Sequence, residues 1–208
     1  ATYWNDPGRS QRMLRTRATC VSTMSPNYEL LDFGEGRKLE RFGEVVLNRP
    51  SPAAEGAAKA QPELWATASA RFRGPRTGDG SWSPNPKQWL PAEWCFEHRG
   101  PDIAFRLQLE ALPSGQVGVF PEQAENWDWI ARQVVRAKPH AVAEHPLRVL
   151  NLFAYTGGST LAAAAAGAEV VHVDGARSVV ERARGNAALA GLAERPIRWI
   201  VEDAVKFC

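Results

Sequence analysis

Two hydrophobic periods divide the chain. Up to about residue 120, apolar positions recur every second residue in short bursts, as in strands with one buried face. Residues 28–33 form one burst, closed by Gly34-Glu35-Gly36, and residues 39–47 read as a second strand running into Asn48-Arg49-Pro50. Residues 64–72 read as a strand or short helix anchored in the core by Trp65, between breaker-rich loops at 50–62 and 73–88. Residues 94–98 and 103–109 alternate on either side of Arg99-Gly100-Pro101, and 117–120 adds a last short strand. The expectation is a small antiparallel β-rich domain over 27–120, after a polar extension at 1–26.

From Pro121 the period lengthens. Pro121 suits a first helical turn, Glu122 and Glu125 sit at the positive dipole end, and Arg136 and Lys138 sit at the negative end. A helix over 121–138 follows, with Trp127, Ile130 and Val134 on one face to pack against a sheet. A linker reaches residue 146, so that 121–146 forms helix and linker. Residues 149–153 then predict a strand, Tyr155-Thr156-Gly157-Gly158 a turn, 159–166 a helix stopped by Gly167, and 170–173 a strand ending on Asp174. A helix over 178–190 with Gly191 at its end, and a strand over 197–201 ending on Glu202 and Asp203, complete the pattern. The fold class is therefore α/β: a Rossmann-like domain over 147–208, incomplete at three strands, preceded by the small antiparallel β-rich domain.

Composition changes this picture little. Net charge is +2. Residues 1–111 hold 15 Lys/Arg against 13 Asp/Glu, and the remainder 10 against 10, so neither half has the excess that would itself argue for nucleic acid. The local bias is Arg9, Arg12, Arg15 and Arg17 against Asp6, in a segment read as a solvated terminus. Cys20, Cys95 and Cys208 are far apart and odd in number, which disfavours a metal site or a disulfide framework. With no long apolar run and no leader-like segment, the chain reads as soluble and cytoplasmic, with no membrane partner.

The candidate chemistry lies at the strand ends. Gly157 and Gly158 let backbone approach a ligand, and the N–H groups opening the helix suit a carboxylate or phosphate. Asp174, at the next strand tip, is placed to meet a ribose diol; Asp203, or the backbone of Ala204, one strand further, is placed to meet an adenine amine. A dinucleotide calls for GxGxxG, whereas this loop reads YTGGST; a P-loop calls for a Lys that is absent. S-adenosylmethionine carries a carboxylate, an ammonium, a sulfonium, a ribose and an adenine but no phosphate, and it matches an open turn plus two strand-end acids. Tyr155 and Phe120 are candidate aromatic faces for the sulfonium. An NAD- or flavin-dependent oxidoreductase on the same topology stays open, as does a non-catalytic RNA-binding protein.

The run NLFAYTGGSTLAAAAAGAEVVHVDGARSVVERARGNAALAGL, followed by PIRWIVEDAVKF, resembles class I S-adenosylmethionine-dependent methyltransferases of the ribosomal RNA large-subunit methyltransferase I type. The upstream GQVGVFPEQAENWDWI is similar to that family's lead-in to the cofactor. The resemblance implies S-adenosylmethionine as cofactor and RNA as partner. It implies Phe153, Tyr155, Thr156, Gly157 and Gly158 at the methionine end, Asp174 at the ribose, Asp203 and Ala204 at the adenine, and Phe120 and Gln123 in the lead-in. The family's Asp-Pro-Pro segment and any later cysteine nucleophile would lie beyond Cys208, so catalytic residues are not assigned. Cys208 itself reads as an apolar strand or helix residue. Gly175-Ala176-Arg177-Ser178 departs from the Ser-rich helix start of relatives and is expected to loosen the cap.

Overall fold

A computed structural model describes residues 27–74, 79–138 and 146–208. The arginine-rich extension at 1–26, with Cys20, and most of the expected linker, 139–145, lie outside the described residues.

The first half builds a five-stranded sheet in the order β1 (Glu29–Gly34), β2 (Arg37–Phe42), β3 (Val45–Pro50), β4 (Ala70–Arg73), β5 (Ser81–Ser83). The single strand expected over 39–47 is two strands, because Gly43-Glu44 turns the chain and pairs Phe42 with Val45. The sheet is not wholly antiparallel: β3 and β4 run parallel, the chain between them passing through short 3-10 turns at Pro52–Ala54 and Pro62–Thr67. Trp65, expected in the core, is only half-buried there. Its indole N–H donates to Asp32 Oδ2 at 2.7 Å and Lys59 sits over its ring. The supposed loop at 73–88 hides β5, since Trp82 is buried against Phe72 and donates its indole N–H to the Leu112 carbonyl. Tertiary packing there overrides the surrounding glycines and prolines.

A separate hairpin, β6 (Cys95–Arg99) with β7 (Ala104–Gln108), follows. Residues 117–120 form no strand. They are mostly buried and bend at Gly118, whose φ is 86°, and they are tied to the hairpin's continuation where Glu110 N–H donates to the Val117 carbonyl.

A 3-10 turn at Pro121–Gln123 leads into α1 (Ala124–Ala137). Its buried stripe is Trp127, Ala131 and Val134, with Ile130 only half-buried. It packs on a sheet, as expected, but on the two-stranded β6–β7 one. Trp127 sits among Phe96, His98 and Phe105 of the β6–β7 hairpin, at ring distances of 5.9, 5.3 and 5.5 Å, and against the helix that follows.

The remaining chain is a parallel sheet in the order β10 (Ile197–Val201), β9 (Glu169–Asp174), β8 (Arg148–Leu152). It is connected through α2 (Gly158–Ala166) and α3 (Arg177–Leu189), and α4 (Ala204–Phe207) ends it. Five of the nine residues of α2 are alanine, and all but Ser159 and Ala165 are buried. Alanine favours the helix and leaves no side chain to hold neighbours apart. One hydrophobic cluster runs unbroken from Phe42 and Phe72 through Trp127 to Leu161, Val170 and Ala187. Cys208 is exposed just past α4 rather than lying within an apolar element. Among the described residues, no helix is long and apolar enough to cross a membrane.

Candidate functional site

Where β8 ends, the chain makes a strained corner. Phe153 and Tyr155 adopt left-handed φ values of 54° and 49°, and Gly157 follows at 98°. Only glycine takes this region without cost, and two aromatic residues there store on the order of 1–3 kcal/mol each.

Several bonds hold the corner. Asp174, at the end of β9, accepts the Tyr155 N–H on Oδ2 at 2.9 Å and the Ala176 N–H on Oδ1 at 3.0 Å. The second bond turns the chain across Gly175 ahead of α3, whose first turn receives no side-chain cap. Thr156 donates its hydroxyl to the Gly118 carbonyl at 2.7 Å. Asn186, buried in α3, donates to the Thr156 carbonyl at 2.9 Å and accepts the Gln108 N–H at 2.9 Å, joining the hairpin to the corner. Beneath it, Asn151 donates to Thr160 Oγ1, which contacts His172 Nδ1. His172 is fully buried, and desolvation pushes its pKa down to about 4.

The corner opens into a small cleft of about 190 Å³. Of the residues singled out from sequence, Phe120, Gln123, Phe153, Tyr155, Thr156 and Gly158 line it. Phe120 and Tyr155 meet with ring centroids 4.9 Å apart and planes tilted by 41°, and Phe153 is 75% exposed at the mouth. Burial lifts the Tyr155 phenol above its ordinary value, against the opposing pull of Arg182 and Arg49. No side chain caps α2, so its first-turn N–H groups, beside cleft-lining Gly158 and Ser159, are left for a ligand.

The other expected residues stand elsewhere. Gly157 backs onto Ala183. Asp174 reaches the cleft wall through Tyr155; each of its oxygens takes one N–H, which leaves lone pairs for a hydroxyl. Asp203 and Ala204 lie past the neighbouring strand, where Val201 pairs with Asp174, and Asp203 caps α4 by accepting the Val205 and Lys206 N–H groups. They do not line this cleft. Gly158 proves to be required by packing: a Cβ there would meet the Trp127 indole at 2.6 Å.

Sequence reasoning missed Leu107, Val119, Trp127, Asn151 and Ser159 as lining residues, and Asn186 as the clamp. Ser159 was open to inference from its place beside Gly158. Leu107 and Asn186 carry no local signal, because separate elements bring them in.

Residues 102–206 match the family model of S-adenosylmethionine-dependent methyltransferases. No curated protein sequence matches the chain. Among solved structures, the SAM-dependent methyltransferase from Agrobacterium tumefaciens is 41% identical with a TM-score of 0.69, over 88% of this chain and 55% of that one. A candidate SAM-dependent methyltransferase from Streptococcus mutans is 18% identical with a TM-score of 0.59, over 87% of this chain and 47% of that one. A methyltransferase candidate complexed with SAH is 18% identical with a TM-score of 0.58, over 87% and 47%. The chain thus spans about half the length of these relatives.

Proposed function

This chain belongs to the S-adenosylmethionine-dependent methyltransferases, with S-adenosylmethionine as its cofactor, and from that premise we propose that it serves methyl transfer to an RNA base, as in the ribosomal RNA large-subunit methyltransferase I type. The observation that carries the cofactor half is the cleft at the corner after β8, with an uncapped helix start on one side and the Asp174 carboxylate behind Tyr155. The RNA half is supported by the sequence resemblance over roughly residues 28–208, strongest from Gly118 onward.

The residues present fit the cofactor. The free N–H groups opening α2 would take the methionine carboxylate. Asp174 would take the ribose hydroxyls on its unused lone pairs, at about 1.5–3 kcal/mol for each charge-assisted bond. The adjoining rings of Phe120 and Tyr155 would face the sulfonium, for roughly 0.5–2 kcal/mol. Asp203 and Ala204 would meet the adenine at the adjoining strand end. When bound, the cofactor supplies an electrophilic methyl group with a neutral thioether as leaving group. What the protein adds is position: the bonds from Asp174, Asn186 and Gly118 hold the corner in one conformation before any ligand arrives. The sheet, with helices covering it, forms the cofactor half of a Rossmann-like domain, and the β-rich part at 27–120 is assigned to the acceptor.

Thermal-shift titration with S-adenosylhomocysteine and, separately, NAD tests the cofactor site. A ligand at a hundred times its dissociation constant stabilises the fold by about 2.7 kcal/mol. A midpoint rise with S-adenosylhomocysteine and none with NAD is expected; the reverse would reassign the cleft to a dinucleotide. Transfer of labelled methyl from S-adenosylmethionine to ribosomal RNA, rather than to protein, by the full-length enzyme tests the acceptor.

A further inference from the structure

On the five-stranded sheet, away from the cofactor cleft, three arginines surround one open concavity of about 500 Å³, lined by Arg37, Arg71, Phe72, Arg73 and Gly74. The strand register gathers them. On β4 burial alternates, so Ala70 and Phe72 face the core while Arg71 and Arg73 project outward. Their cross-strand partners on β5 are Ser83 and Ser81, both exposed hydroxyls. Arg37, on β2, is fixed in place: its Nε donates to Asn48 Oδ1 at 2.5 Å and its Nη2 to the carbonyls of Asn48 and Phe72, each at 2.9 Å.

Every one of those acceptors is neutral. The hydrogen bonds orient the guanidinium without cancelling its charge. Among the described residues, no carboxylate pairs with Arg37, Arg71 or Arg73, whereas Lys38, Arg41, Arg49 and Lys59 of the same sheet and its loops each have one. Burial and the neighbouring Arg71 cation both hold the Arg37 guanidinium below its ordinary value. Three like charges gathered without an acid, one of them locked by the backbone, form a site whose missing member is an anion. Guanidinium forks beside serine hydroxyls match the tetrahedral oxygens of a phosphate.

We propose that the Arg37–Arg71–Arg73 concavity holds phosphodiester groups of the RNA acceptor, so that the β-rich part grips the strand's backbone while the cofactor cleft addresses one base. This rests on the RNA reading above and extends it to a second surface.

The test is fluorescence anisotropy with a labelled single-stranded oligoribonucleotide, titrated at several salt concentrations. Arg71→Gln and Arg73→Gln, singly and together, are compared with the wild-type chain and with Arg195→Gln, the same charge change in the turn after α3. Arg71 and Arg73 are exposed and make no structural bond, so the variants should keep their thermal midpoint. The double variant is expected to bind about tenfold more weakly, with a log–log salt slope shallower by roughly 1.4, near 0.7 for each phosphate lost; Arg195→Gln should match wild type. Wild-type binding with an unchanged slope in the double variant overturns the site and leaves the RNA reading standing. Absence of any binding by wild type overturns both. Loss of binding to anionic phosphatidylserine vesicles, with RNA binding intact, would hand the surface to a membrane and also overturn the proposal.

Discussion

Asp174 holds the corner, and the proposed function gives it a second task at the same position. Its carboxylate accepts N–H groups from Tyr155 and Ala176, and its remaining lone pairs are those assigned to the ribose. Asp174→Ala should therefore abolish S-adenosylhomocysteine binding by calorimetry and also lower stability by about 1–3 kcal/mol without unfolding the chain. Unchanged affinity would remove Asp174 from the site. His172 gives a pH signature. Its folded pKa of about 4 lies below the ordinary value of 6.5. Between those values the unfolded chain binds a proton that the native one refuses. Its effect on stability is thus absent above about pH 6.5 and grows as pH falls toward 4, at up to about 1.4 kcal/mol per unit. The thermal midpoint of wild type should fall more steeply over that window than that of His172→Asn, which keeps a polar atom near Thr160. Parallel curves would refute the assignment.

Among the elements, the contact of α1 with α2 decides where the cleft's walls stand. Trp127 fills the space that a Gly158 Cβ would occupy, and the same indole packs on Phe96 and Phe105 of the hairpin. Gly158→Ala should cost about 1–3 kcal/mol through overpacking. Combined with Trp127→Phe, the two costs should sum to clearly more than the measured loss, because the smaller ring vacates the contested volume. Strict additivity in denaturant unfolding would mean that the two residues do not compete.

Across the whole molecule, a buried charge network joins the first sheet to the cleft. Arg49 on β3 pairs with Glu40 on β2 and donates to Gln116 Oε1 at 2.9 Å, while Tyr28 donates its hydroxyl to Glu40 at 2.9 Å. Burial by itself would raise the Glu40 carboxyl, but Arg49 and Lys38 hold it below the ordinary range. Gln116 begins the segment that carries Gly118, the acceptor for Thr156, and Phe120, the partner of Tyr155. Arg49→Met leaves buried Glu40 with Lys38 as its remaining cation and should destabilise by less than the about 3–5 kcal/mol of a wholly unpaired charge; Arg49→Met with Glu40→Gln should recover much of the loss in thermal unfolding. If the segment at 116–120 depends on this network, the double variant will still bind S-adenosylhomocysteine more weakly than wild type.

The parallel sheet, its two crossover helices and the glycine corner were legible in the sequence because each rests on a local rule: an apolar run, a helix start, a residue that tolerates positive φ. Asp174 was legible for the same reason, at a strand tip a fixed distance past the turn. What the chain's own order concealed was whatever depends on a distant neighbour. Trp82 makes a strand of an apparent loop only because Phe72 and Leu112 receive it; Gly158 is a glycine because of Trp127; Asn186 clamps a corner thirty residues away. Three arginines scattered along a chain of nearly balanced charge form one cationic hollow only when β2 and β4 are laid on either side of β3. Periodicity specifies which face of an element is apolar, but which face it meets is decided by packing all the elements at once.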